Sequence, residues 1–224
     1  MTKHHSSKQN IKVAVDTSIL TIRDGELCVL LIQMKKAPFE GQWALPGGLL
    51  EDEETSGSAA ERILKESTGL TQVYLEQLMT FDTIDRDPAG RVISIAHVAL
   101  VPDEHASLKT NEKYMDVKWW PVSKLPPLAY DHKTIVKATL ERAKTKIQYT
   151  NIAWSLLSKE FTLTELQRVY EIIMDQDLDK RNFRKRIAEL HLIQATGHKR
   201  YGQAHRPAAL YKFKDRKLVY VQVV

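Results

Sequence analysis

Two apolar, β-branched runs, KVAVDTSILTI and ELCVLLIQM, are separated only by Arg-Asp-Gly. Asp-Gly is a turn signal, so residues 12–34 read as a strand pair, and any fold of this chain must accommodate it. Further strand candidates are VYLEQLMTF, RVISIAHVALV and DVKWWPV. A helical stretch lies among them at about 55–67, and a second helix is predicted after Pro126 and Pro127, from about Asp131 to Lys146. Strands mixed with two helices indicate a layered α/β domain. After Tyr149 the texture changes to short helical segments, and only LIQAT and ALYKF read as strand. The change of pattern divides the chain into residues 1–148 and 149–224.

Charge divides at the same place. Residues 148–224 hold 14 Lys+Arg against 8 Asp+Glu, so the excess of +6 there exceeds the whole chain's +5. A basic C-terminal part on a near-neutral body suggests a polyanion-binding module. No apolar run approaches the roughly 18 residues of a membrane span. The polar start MTKHHSSKQN lacks an apolar signal core, which argues for a cytoplasmic protein, and its two histidines read as a frayed tail. A single cysteine, Cys28, in the apolar LCVLLI reads as a small buried hydrophobe and excludes both a disulfide framework and a cysteine zinc site within one chain.

Residues 41–70, GQWALPG followed by GLLEDEETSGSAAERILKESTGL, resemble the Nudix box, a loop-helix-loop of the form G, five residues, E, seven residues, R-E-U-x-E-E-x-G-U, with U bulky and aliphatic. Anchored on Gly48, the match keeps Glu54, Arg62, Leu64, Glu66, Gly69 and Leu70. Ile63 and Ser67 stand where the pattern has glutamates. Positions 63, 66 and 67 are related as i, i+3 and i+4 and share a helix face. The resemblance implies that carboxylates there hold Mg²⁺ or Mn²⁺ against a diphosphate, and magnesium requires hard oxygen ligands. Glu66 alone is a weak site, and shifting the register by one residue brings no more carboxylates. Glu51, Asp52 and Glu53 are either substitute ligands from the loop or solvated charges. The expectation is a box that keeps its shape, through a Glu54–Arg62 ion pair, with no catalytic residues, no metal and no other cofactor.

The C-terminal part supplies a different pattern. Thr162 followed by Glu165 is a capping-box signature, and Leu163, Leu166, Val169, Tyr170 and Ile173 follow helical spacing. Asp179 is a candidate N-cap for a second helix whose stripe of Phe183, Ile187 and Leu190 is surrounded by Lys180, Arg181, Arg184, Lys185 and Arg186. A strand, a basic glycine-containing turn with His198, Lys199, Arg200 and Arg206, and a returning strand complete a winged helix-turn-helix. A charge run is ordinarily a solvated face, but the two basic clusters are adjacent in such a domain. Eight Lys/Arg between 180 and 206 meet only Asp179 and Glu189, so these eight are the expected DNA-binding residues. RNA binding is disfavoured because the helix lacks a row of exposed aromatics for stacking.

The order of the two parts, with FTLTELQRVYE, LDKRNFRKRI and RPAALY, resembles the Nudix-related transcriptional regulators of bacteria over about Lys12 to Phe213. The resemblance implies a Nudix-type α/β/α sandwich followed by a small winged helix-turn-helix domain. It also implies a homodimeric repressor of NAD-metabolism or sugar-utilisation genes, binding double-stranded operator DNA and sensing ADP-ribose or a related sugar. The effector pocket is then expected beside PFEGQW, LPGG, IDRDPAGRVIS and YDHK. Trp43 or Phe39 either stacks on an adenine-like ring or packs the core. Arg86, Arg62 and Arg91 are candidates for a diphosphate, Arg91 equally for plain surface. His132 binds a ribose or caps a helix, and Glu66 accepts from a sugar hydroxyl. The competing reading is a Nudix hydrolase of ADP-ribose-like diphosphates.

Overall fold

A computed structural model describes residues 10–71, 73–103, 108, 114–201 and 207–223. The N-terminal tail and Arg206 lie outside the described residues.

The expected strand pair forms as β1 (Lys12–Arg23) and β2 (Glu26–Met34), joined through Asp24 and Gly25. Both turn residues have positive φ, 49° and 79°, the geometry of a primed hairpin turn, which glycine adopts without a Cβ clash. Two short strands not read from the sequence follow, β3 (Trp43–Ala44) and β4 (Gly47–Leu49). Then come α1 (Ser56–Thr68), β5 (Tyr74–Phe81), β6 (Val92–Leu100), β7 (Tyr114–Pro121) and α2 (His132–Tyr149). The sheet runs β3-β2-β1-β6-β5, with β4 on β1 and β7 on β2; β1 and β6 are parallel and the remaining pairs antiparallel.

Alternation along β1 sends neighbouring side chains to opposite layers. Val15 packs with Ala59, Ala60 and Ile63 of α1, and Ile19 with Leu64. Leu20 joins Ile135, Val136, Ala143 and Ile147 of α2 on the other face. The result is an α/β/α sandwich. Glu76 on β5 clamps α2 by accepting from Arg142 Nη1 at 2.6 Å and from Lys146, with the Tyr74 hydroxyl also donating to it.

The second part holds α3 (Leu163–Met174), α4 (Lys180–Glu189), β8 (Ile193–Arg200) and β9 (Ala208–Phe213). Thr162 and Glu165 form the anticipated capping box of α3, and the Asp179 carboxylate accepts from the Asn182 amide at 2.8 Å to start α4. Phe183 and Ile187 anchor α4, with the Phe183 ring 5.3 Å from that of Tyr170. β8 and β9 pair as the wing. The first part of the segment expected as a basic turn, Gly197 to Arg200, is strand: a register shift between Ala195 and Lys199 absorbs Gly197, at φ +82°, so Lys199 and Arg200 pair with Ala209 and Ala208. One hydrophobic cluster extends from the α2 face of the sheet through Ile152, Ala153, Trp154, Leu156 and Leu157 to α3 and α4.

Candidate functional site

The central feature of the sandwich is a cavity of about 280 Å³ beside the start of β1. Ile32, Met34, Val92, Tyr114 and Tyr130 line its apolar wall, and Asp16, Arg86 and His132 its polar floor. Asp16 stands in the middle of the apolar β1, and its surroundings explain how a carboxylate persists there. Its Oδ2 accepts from Ser94 Oγ at 2.6 Å and Arg86 Nη2 at 3.2 Å, while Oδ1 lies 3.5 Å from His132 Nε2. Burial opposes its ionisation, but His132, Ser94 and Arg86 together hold the carboxyl at about 2.

Arg86 is clamped from its other side by Asp131, Nε to Oδ2 at 3.0 Å and Nη2 to Oδ1 at 2.7 Å. Asp131 stands at the N-cap position of α2 yet makes no side-chain cap bond. Its carboxylate serves the arginine instead. Burial lowers the affinity of Arg86 for its proton, and the bonds and charges of Asp131 and Asp16 more than offset this, so it remains a cation. Nη1 takes part in none of these bonds, on a side chain that lines the cavity. The His132 Nδ1 accepts from the Leu45 amide at 2.8 Å, which turns Nε2 toward Asp16. Gly47 is required by the same arrangement, since a Cβ there would lie 2.2 Å from Asp16 Oδ1. A fixed guanidinium beside the Asp16 carboxylate, in a pocket that Lys12 and Asp87 also line, suits a ligand with both anionic and hydroxyl groups.

The sequence-derived candidates are divided by the structure. Arg86 and His132 line this cavity; Trp43, Arg62, Glu66 and Arg91 do not. Trp43 packs edge-on against Trp120 with centroids 5.3 Å apart, and Phe39 lies on Tyr130 at 4.4 Å. Arg62 is held by Glu54 through two bonds of 2.6 and 2.8 Å, with Glu66 at 3.6 Å, so the expected brace of the box is present and consumes the guanidinium. Arg91 Nη1 donates to the carbonyls of Asp82 and Thr83 and braces the β5–β6 loop. Asp16, Ser94, Tyr114 and Asp131 were not anticipated; an aspartate inside a strand buried on both faces is the signal that could have found the first.

The metal face of the box is altered in kind. Ile63 is 3% exposed and packed on Val15, Ala59 and Ala60, and Ser67 is 2% exposed. Among the described residues no three His, Cys, Asp or Glu side chains converge as a metal site. Ile63 and Ser67 supply no carboxylate for the divalent ion that the Nudix box implies.

On the winged helix, Lys180, Arg181, Arg184 and Lys185 are exposed along α4, and Lys199 on β8. Arg186 turns away from them, its Nε donating to the Gln222 carbonyl at 3.1 Å and its Nη2 to the same oxygen. Arg200 is held by Glu165, and His198 lies 3.1 Å from the Glu160 carboxylate. Arg186 and Arg200 thus carry bonds within the chain that the sequence did not reveal.

Comparison with known proteins matches two domain models to the chain. The NUDIX domain model matches residues 12–139, and the model of the NrtR DNA-binding winged helix domain matches residues 153–213. The ADPR responsive transcriptional repressor NtrR of Acinetobacter baylyi is 34% identical over 213 residues, covering 90% of this chain and 81% of that protein. Shewanella oneidensis NrtR complexed with a 27mer DNA superposes with a TM-score of 0.81 at 34% identity, covering 90% of this chain and 93% of that one. The NUDIX domain of the same protein complexed with ADP ribose gives 0.55 at 32% identity, over 63% of this chain and 93% of that one. The chain therefore belongs to the NrtR family of Nudix-related transcriptional regulators, a NUDIX domain joined to an NrtR DNA-binding winged helix.

Proposed function

We propose that this chain is an operator-binding repressor whose DNA affinity is set by ADP-ribose or a chemically related sugar seated on Asp16, Arg86, Asp131 and His132. The observation that carries the reading is the buried arginine held by two carboxylates at the floor of a cavity in a domain whose relative binds ADP-ribose. Nη1 of Arg86 receives the anionic part of the ligand, and the carboxylates accept from its hydroxyls. Lys180, Arg181, Arg184, Lys185 and Lys199 meet operator phosphates and base edges, in a homodimer that places one α4 in each half-site. The genes controlled belong, on this reading, to NAD metabolism or sugar use.

The same proposal makes the NUDIX domain a sensor without turnover. Its support is that Ile63 and Ser67 belong to the packing of α1. The test selects bound fragments from a genomic library with the purified chain, then titrates ADP-ribose against the enriched fragment. Wild type should release it, and a folded Arg86→Lys variant should bind the fragment but respond at least tenfold more weakly, because lysine cannot reproduce the planar fork. Enrichment of nothing, or an undiminished response in the variant, overturns the corresponding half. Hydrolysis of ADP-ribose with Mg²⁺ or Mn²⁺ at about one per second would restore the enzyme reading.

A further inference from the structure

The last residues, from Lys214 on, lie beyond both matched domains, yet they tie the molecule together. Val221 and Val223 donate their amides to the carbonyls of Tyr149 and Gln148 at the end of α2. Asn151 fastens the middle of the segment, its Nδ2 donating to the Lys217 carbonyl at 2.9 Å and its Oδ1 accepting from the Val219 amide at 2.8 Å. Arg216 donates to the carbonyls of Trp154 and Leu157, and its guanidinium lies over the Trp154 ring. Val223 is fully buried in the main core. At the far end of this strap, the Gln222 carbonyl receives two bonds from Arg186, one turn before the end of α4.

We infer that Arg186 is a positioning residue: it locks α4 to the C-terminal strap, and through the strap to the end of α2, so that the exposed bases of α4 enter DNA at one angle. This rests on the DNA-binding reading above. The argument is geometric. α4 buries only Phe183 and Ile187 fully, with Leu178 and Leu190 partly buried at its two ends, a narrow stripe that leaves rotation about the stripe weakly defined. A guanidinium donating through two nitrogens to one backbone oxygen removes that freedom. α2 begins at the cavity, with Asp131 and His132, and ends where the strap is paired, so the strap joins the helix that lines the cavity to the helix expected to read DNA. Sequence reasoning counted Arg186 among the phosphate contacts because charge was all it could see.

A positioning role and a direct contact have different signatures. Losing a phosphate contact reduces the log-affinity against log-salt slope by about 0.9 on any DNA, and losing a base contact relaxes specificity at one base pair. A misaimed helix loses discrimination across the whole site while its phosphate count stays the same. The experiment uses the full chain, a fragment enriched by wild type from a genomic library, and random-sequence DNA of equal length as the non-specific probe. Arg186→Ala and Arg186→Lys, each checked by thermal melting, should both lower the enriched-to-random affinity ratio by at least about tenfold, with the random-DNA affinity and salt slope unchanged for lysine. Removal of residues 222–224 should do the same, and adding Arg186→Ala to it should cost nothing more. A lysine variant that behaves as wild type, a slope lowered by about 0.9 with an intact ratio, or relaxation confined to one base pair each overturns the proposal. If wild type enriches no fragment, the DNA-binding reading itself falls, which is a separate result.

Discussion

Asp16 shows what one side chain can organise. It links β1 to β6 through Ser94, to the β5–β6 loop through Arg86, and to α2 through His132. Removing one charge of a buried ion cluster leaves its partner uncompensated, so Asp16→Asn should cost about 3 kcal/mol in denaturant unfolding. The acid limb gives an independent check. Because the folded carboxyl ionises at about 2 against 3.8 for the free side chain, its contribution is fully present above about pH 4 and is lost as the pH falls toward 2. Wild type should therefore lose about 2 kcal/mol more than Asp16→Asn across that window, since each unit is worth about 1.4 kcal/mol. Little of this was legible in the sequence. Asp16, Arg86 and Asp131 are spread over 116 positions, and only the topology brings them together. Arg86 and His132 were legible because they fall in the loop and helix start that the Nudix pattern places beside the box.

At the scale of elements, periodicity succeeded wherever burial is one-sided. Helices α1, α3 and α4 have clear apolar stripes, and their caps Thr55, Thr162 and Asp179 are the residue types that favour that position. It failed for β3 and β4, two and three residues long, which exist only because β2 and β1 supply their hydrogen bonds. It also set the start of the wing turn too early, since a bulge extends the strand past Gly197 to Arg200. α1 shows what restoring a glutamate of the box pattern would cost. Ile63→Glu would place a carboxylate against Val15, Ala59 and Ala60, and burying an unpaired charge of this kind should destabilise by about 3 kcal/mol or more. A melting temperature lowered by several degrees, with no gain of ADP-ribose hydrolysis, is the expected result; a stable, active variant would mean that α1 can rotate to present this face.

For the whole molecule, charge asymmetry identified the module that carries the basic surface but could not show that a carbonyl and a carboxylate within the chain engage Arg186 and Arg200. Coupling between cavity and winged helix must be reciprocal. If ADP-ribose weakens operator affinity by a factor in the usual range of about 5 to 150, operator DNA should weaken ADP-ribose binding by the same factor. Calorimetric titration of ADP-ribose with and without the enriched fragment measures this directly, and unequal factors would mean that the ligand acts on a species other than the DNA-binding one.

The hydrophobic cluster that runs from the sheet through Trp154 and Leu157 into α3 and α4 has a consequence for portability. Modules joined by a linker can be exchanged between proteins as cassettes. Here the winged helix uses the sandwich as one wall of its own interior, and Val223 closes that interior from the far end of the chain. Grafting residues 153–213 onto another sensor would open this wall to water, so a successful chimera would have to carry α2 and the final residues with it.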